Sequence, residues 1–174
     1  MKKIIMALVC LMTITMSANA QNNWAVDFTE EDELLERKSE KYYLYFDGDK
    51  GGVIFYESSP KKLYLIAPDG SMFNTKPMFK GFGGDVIAID VTYGMYDENG
   101  KLVKKDENCV FEEVGREVAN RVVSRTGGGF GHTYRNVGKE LIEYLKNKKG
   151  YVRLVAPLFH NNRNFDIKVP CINN

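Results

Sequence analysis

From Lys41 onward the chain reads as short apolar runs of strand length, separated by turns rich in glycine, asparagine and aspartate. Tyr42 to Phe46 (YYLYF) and Val53 to Glu57 (VIFYE) are aromatic and β-branched, and the DGDKGG between them is a hairpin signal. Lys62 to Ala67 (KLYLIA) follows Pro60 as a third strand, and Pro68 opens a turn. Lys76 to Asp85, with Gly81, Gly83 and Gly84 around Phe82, reads as a loop. The cleanest period comes next. Ile87, Ile89, Val91, Tyr93 and Met95 alternate with Ala88, Asp90, Thr92 and Gly94, which predicts a strand with one buried face. Asn99-Gly100 supplies the positive φ angles of a tight turn, so Leu102 to Lys105 is expected to return antiparallel.

Between Cys109 and Arg125 two spacings compete. Phe111, Val114, Val118 and Val122 fit a helical face, yet the β-branched residues pack well on a pleated surface, so strands are expected on both sides of Gly115. Beyond Asn136, a residue suited to cap a helix, Val137, Leu141 and Leu145 recur every four residues and Ile142 widens the stripe. Lys146, Lys148 and Lys149 then suit the negative end of a helix that Gly150 stops. Tyr151 to Leu158 and Asn164 to Ile172 read as two last strands. Seven to nine strands with one helix predict a mainly β fold: an antiparallel β-sandwich, immunoglobulin-like or jelly-roll-like, with one C-terminal α-helix packed on it.

The first forty residues have a different texture. Lys2 and Lys3, an apolar stretch from Ile4 to about Met16, and small residues ending at Ala20 form a signal peptide over residues 1–20, with cleavage at about Ala20. The chain is therefore expected to be exported, to the periplasm or beyond, and no later stretch reaches the ~20 apolar residues of a membrane span. Residues 21–40 read as a polar lead-in with a short acidic helix capped by Thr29, and residues 41–174 as a single sandwich domain. Two of the 24 basic residues lie in the signal, leaving 22 against 23 acidic ones, so no basic stripe for nucleic acid is expected. Cys109 and Cys171 remain after cleavage. In an oxidising compartment they are a disulfide candidate, and closing that loop would remove ~4 kcal/mol of unfolded-chain entropy. Two buried thiols are the alternative.

The run GKELIEYLKNKKGYVRLVAP…FDIKVP, a short helix, a basic stop, a strand and a final hairpin strand, resembles the C-terminal part of small exported β-sandwich proteins of the invasion-associated locus B type. The resemblance covers the last forty residues or so. It implies an immunoglobulin-like or jelly-roll-like envelope protein without established catalysis, and it carries over no functional residue.

Candidate chemistry is sparse. His132 and His160 are the only histidines and each is solitary, there is no Gly-x-Ser-x-Gly elbow, and no His or Cys pair has zinc-ligand spacing, so no metal and no cofactor are expected. Asp47, Asp49 and Gly51 resemble the start of a calcium loop, but the glutamate required at its twelfth place falls on Ser58. In SRTGGGFGHTYRNVGKE, Ser124 to Glu140, both phosphate-loop patterns fail. What remains is a helix start flanked by His132, Arg135 and Lys139, a candidate anion site, set against a plain linking loop. Tyrosines Tyr42, Tyr43, Tyr45, Tyr56, Tyr64, Tyr93 and Tyr96 fall on the strands, and a row of them facing outward would engage a sugar or a protein partner. The expected role is a non-catalytic binding or structural module at the cell envelope with a protein or glycan partner. A small hydrolase using His132 and a carbohydrate- or peptide-binding module with a tyrosine-lined sheet face are the alternatives.

Overall fold

The apolar runs that flank DGDKGG pair as expected, and their approach explains why the turn is built from glycines. The computed structural model describes residues 23–31, 33, 38–57, 63–68, 70–79, 85–113, 118–126, 133–159 and 163–174. In it β2 (Lys41–Phe46) and β3 (Gly52–Tyr56) run antiparallel with Tyr43 opposite Phe55 and Tyr45 opposite Val53. A 3-10 turn, Gly48–Lys50, joins them, and Gly51 follows it at φ 96°. A Cβ on Gly51 would lie 2.3 Å from the Ile66 carbonyl oxygen of β4 (Leu63–Ile66), so only glycine fits.

The other strands are β1 (Trp24–Phe28), β5 (Lys76–Phe79), β6 (Asp85–Tyr96), β7 (Leu102–Glu113), β8 (Val118–Thr126), β9 (Thr133–Asn136), β10 (Tyr151–Pro157) and β11 (Asn164–Pro170); α1 (Val137–Asn147) lies between β9 and β10. Nine strands form one antiparallel path, β1-β2-β3-β4-β8-β7-β6-β10-β11, with β5 added on β6 and β9 on β8. The path doubles over. Phe165 at the start of β11 lies beside Gly51 and packs on Phe73 with 5.4 Å between ring centroids, and at the far end of β11 the Trp24 indole N–H donates to the Pro170 carbonyl at 2.9 Å. β11 thus crosses the turn end of β1 to β4, and the fold is a mainly β, antiparallel sandwich with a single helix among the described residues.

Alternate residues of both layers fill the core. Tyr43, Tyr45, Val53, Phe55, Leu63 and Leu65 meet Ile89, Val91, Tyr93, Met95 and Phe111 from the middle strands and Val152, Leu154, Phe165, Ile167 and Val169 from the last hairpin. The period of β6 holds from Ile89 to Met95 and fails at Ile87, which is 53% exposed while Ala88 is buried. That is where the neighbour of β6 changes from β10 to β5. Helix α1 buries Leu141, Ile142 and Leu145, and the Leu145 carbonyl accepts the Ile172 N–H at 2.8 Å. Its ends are tied by charge as well, Glu140 to Lys104 on β7 and Lys146 to Glu57 just past β3.

Three elements depart from the sequence reading. The polar lead-in contributes β1, whose residues pair with β2 from Trp24 opposite Tyr45 to Phe28 opposite Lys41. The Lys76 to Asp85 stretch contributes β5 despite Pro77, and Thr133–Asn136 forms β9 on β8. The expected acidic helix falls largely on residues outside the described set. Thr29, read as its cap, instead closes the β1–β2 connection: its N–H donates to the Glu40 carbonyl at 2.9 Å and its Oγ1 accepts the Glu40 N–H at 2.8 Å. Residues 1–20 also lie outside the described set, and no helix among the described residues is long and apolar enough to cross a membrane.

The disulfide expectation is corrected. Cys109 and Cys171 are both buried and unbridged. Cys109 sits on β7 opposite Val91, whereas Cys171 follows β11, three strand positions away along the sheet. At about 4.8 Å per strand that is roughly 14 Å, twice what a disulfide spans. Cys171 instead points its thiol at the Tyr144 carbonyl, 3.6 Å away, and burial pushes its pKa up to about 11.

Gly150 locks the end of α1 to the sheet. It has φ 118°, its N–H donates to Asn174 Oδ1 at 2.6 Å, its carbonyl accepts the Cys171 N–H at 2.9 Å, and a Cβ there would fall 2.0 Å from the Tyr96 carbonyl oxygen. Gly150→Ala is therefore expected to destabilise the fold by more than about 2 kcal/mol. Gly100→Ala, at φ 75° with nothing within 4 Å of the added Cβ, costs only the left-handed backbone, about 1 kcal/mol. Urea unfolding of the two variants checks the order.

Candidate functional site

Strands β2, β3 and β4 are apolar on both faces, which a two-layer sandwich does not require, because the side away from its core usually carries polar residues. While alternate residues enter the core, the cross-strand register builds three rows on the other face. Ala25, Leu44, Ile54 and Tyr64 form one row, Asp27, Tyr42 and Tyr56 a second, and Phe46, Gly52 and Ile66 a third. Asp27 is the one charged residue in these rows. Phe46 is 43% exposed, and the other apolar members of β2 to β4 are half-buried by one another.

The tyrosines form a connected ladder. Tyr42 and Tyr56 have ring centroids 5.7 Å apart at 42°, and Tyr56 and Tyr64 are 5.6 Å apart at 69°. The rings tilt against one another, so they brace a corrugated surface and offer no flat platform. Tyr42 donates its hydroxyl to Asp27 Oδ2 at 3.2 Å. Burial, reinforced by the Asp27 charge, pushes the Tyr42 pKa up to about 12. Burial likewise raises Tyr56 and Tyr64, helped by the Glu40 carboxylate. All three phenols are thus held in the neutral form.

Of the remaining strand tyrosines, Tyr43, Tyr45 and Tyr93 are buried, and Tyr96 stacks on Tyr151 at 4.6 Å and 8° on the outer face of β6 and β10. Tyr43 reaches Glu57 instead of a ligand. Glu57 accepts its hydroxyl at 3.1 Å and the Lys146 ammonium at 3.2 Å, with Lys41 3.5 Å away. Both lysines lie over the Tyr43 ring, at 5.1 and 5.6 Å. The Lys146 ammonium, aided by the Tyr43 hydroxyl and Lys41, holds the Glu57 carboxyl below its usual range. This network fastens the end of α1 to the first layer.

The glycine-rich segment has a different place from the one its sequence suggests. Its flanks are β8 and β9, which pair antiparallel from Val123 opposite Asn136 to Thr126 opposite Thr133, so the helix starts after β9 and not directly after the glycines, which lie outside the described residues. His132 lies outside the described residues, and with it the test of the hydrolase alternative. Arg135 is on β9 opposite Ser124. Lys139 is exposed on the first turn of α1, with its ammonium 3.7 Å from Glu143 one turn along. At the calcium-like turn Asp47 meets Lys50 at 2.9 Å, and Asp47 and Asp49 both line a charged depression. No metal-holding group of His, Cys, Asp or Glu occurs among the described residues. Sequence reasoning placed the tyrosines on strands but did not divide them between the two faces. The signal was there, since Tyr42 and Tyr43 are neighbours and must point to opposite faces.

The Tyr42 shift gives a direct check. Folding raises this pKa above the ordinary 10.0, so its contribution to stability is complete below pH 10 and is lost as the pH rises toward 12. A phenolate absorbance titration is expected to show a group of late-titrating tyrosines, one of which Asp27→Asn brings to lower pH. An unchanged titration curve in that variant would show that Asp27 does not act on Tyr42. Among known proteins, no family model, no curated protein and no solved structure matches the chain.

Proposed function

We propose that the chain is an exported, non-catalytic binding module of the cell envelope that takes an apolar peptide segment of a protein partner on the outer face of β1 to β4. The observation that carries the reading is that face itself: three rows of Leu44, Phe46, Ile54, Ile66 and the tyrosine ladder, in which Asp27 is the one charged residue among those described, backed by β2 to β4, whose opposite face already fills the core. Tilted rings with aliphatic neighbours suit side chains of varied shape better than the flat face of a sugar ring. Size points the same way. Four strands about 4.8 Å apart and about five residues long present roughly 300 Å² in plan, well short of the roughly 800 Å² that each partner of a stable domain interface buries. Export rests on the signal pattern of residues 1–20, and the absence of catalysis on the lack of a nucleophile or metal motif in the sequence. The C-terminal likeness to proteins of the invasion-associated locus B type supports the envelope setting.

Selection of a phage-displayed library of random peptides on the folded protein tests the reading. Clones with apolar residues are expected to be enriched, and to lose at least about tenfold in affinity, about 1.4 kcal/mol, on Ile54→Lys, which adds a charge to the outer face and leaves the core intact. If no clone is enriched over an unrelated protein, or enriched clones bind Ile54→Lys equally well, the peptide-binding face is wrong.

A further inference from the structure

At the turn end of β2 and β3, where β11 crosses, the surface sinks into an open depression of about 530 Å³. One wall is the turn that carries Asp47, Asp49 and Lys50. The other is formed by Arg153 of β10 and Asp166 and Lys168 of β11, which alternate with the buried Val152, Leu154, Phe165, Ile167 and Val169 and so point away from the core. Arg163 and Asn164 close it at the start of β11. Chain segments more than a hundred residues apart meet here only because β11 runs across the first layer. The tyrosine ladder starts at the other end of the same strands, so the two surfaces are distinct.

The lining mixes both signs of charge and has largely settled its own pairs. Asp166 holds Arg153 through two hydrogen bonds, Nε to Oδ1 at 2.8 Å and the terminal nitrogen to Oδ2 at 2.5 Å, and Asp47 holds Lys50 at 2.9 Å. The bond to Arg153 lowers the Asp166 pKa and raises that of Arg153, so both stay charged. Lys168 lies over the Tyr151 ring at 5.5 Å. An anion entering the depression would meet Asp47, Asp49 and Asp166, and a cation would meet Lys50, Arg153, Arg163 and Lys168; either must displace a standing pair or lie beside a like charge. An apolar ligand would strip water from seven charged groups. A hydroxyl group suffers neither penalty, since it donates and accepts at once. The Arg153 guanidinium has five N–H groups, of which Asp166 uses two, and each carboxylate keeps lone pairs beyond its present bonds. The ion pairs therefore present a fixed lattice of alternating donors and acceptors, in a volume within the roughly 300–1,000 Å³ of small-ligand sites.

We propose that this depression is a second binding site and that its ligand is a neutral polyhydroxylated molecule, a short oligosaccharide. Its hydroxyls bridge the paired Arg153–Asp166 and Lys50–Asp47 groups without breaking them. Asp49, Arg163 and Asn164 supply further hydrogen bonds at the rim. The peptide face plays no part in this binding.

The test is calorimetric titration of the full mature chain with neutral tetrasaccharides of glucose, N-acetylglucosamine, mannose and galactose, beside inorganic sulfate and spermidine as charged probes. At least one tetrasaccharide is expected to bind, with an affinity that changes less than about twofold between about 0.05 and 0.5 M salt, because no net charge is neutralised. Asn164→Ala and Asp49→Ala, both at the rim and outside the standing ion pairs, are expected to weaken it at least about fivefold with unchanged thermal midpoints. Ile54→Lys is expected to leave it unchanged. Binding of no tetrasaccharide overturns the proposal. So does tighter, salt-sensitive binding of sulfate or spermidine, or tetrasaccharide binding that the rim variants leave intact. Loss on Ile54→Lys would place the sugar on the outer face of β1 to β4 and would likewise overturn it.

Discussion

The register of β2, β3 and β4 is the constraint on which the rest of the molecule depends. Side chains alternate with a period of two, so a slip of one residue would exchange the faces of the whole layer: Tyr43, Tyr45, Val53, Phe55, Leu63 and Leu65 would leave the core, and Tyr42, Leu44, Ile54, Tyr56 and Tyr64 would enter it. Both sets are apolar, so hydrophobicity alone discriminates weakly between the two registers. Geometry at the turn decides instead. Gly51 passes so close to the Ile66 carbonyl that no side chain fits, and a Cβ on Gly52 would fall 2.6 Å from the Tyr45 carbonyl oxygen and 2.8 Å from the Phe46 ring. The glycine pair holds one alignment, and Tyr45 inside it meets Trp24 at 5.5 Å between ring centroids.

Closure of the sandwich follows from that alignment. Trp24 lies against Tyr45 and Phe55 and donates to Pro170, which joins the first strand of the path to the last across 146 residues of chain. Phe165 meets Gly51 and Phe73 at the other end of β11. These contacts place β11 over the turn end of the first layer and so create the charged depression. The Glu57 network and the Gly150 lock fix α1 to the two layers separately. The two surfaces thus have a common origin, the first as the spare face of the layer and the second as the seam where the sheet returns to it.

Much of this was legible in the sequence, and the exceptions have physical causes. YYLYF, VIFY, the Ile89 to Met95 alternation and the four-residue stripe of α1 declare their structure locally, because period and β-branching act within one element. β1 does not: Asp27 interrupts it, and it is a strand because β2 pairs with it and Trp24 finds Pro170. β5 carries Pro77, and β9 is only four residues long and owes its strand form to pairing with β8. The disulfide expectation failed because separation along the sheet, not along the chain, decides whether two thiols meet. The tyrosine face was half legible, its residues named but not divided between inside and outside. Nothing in the sequence brings Asp47 near Arg153 and Asp166, since only the crossing of β11 does so.

Hydroxyl-radical footprinting of the folded chain, read by mass spectrometry at single tyrosines, tests the division of faces most directly. Tyr42, Tyr56 and Tyr64 should be oxidised in the native state, while Tyr43, Tyr45 and Tyr93 stay protected until the chain unfolds. Oxidation of Tyr43 and Tyr45 with protection of Tyr42, Tyr56 and Tyr64 would mean that the layer is registered the other way. Equal protection of all six would mean that the outer face is already covered. Either result would contradict a layer that keeps one apolar face for the core and presents the other.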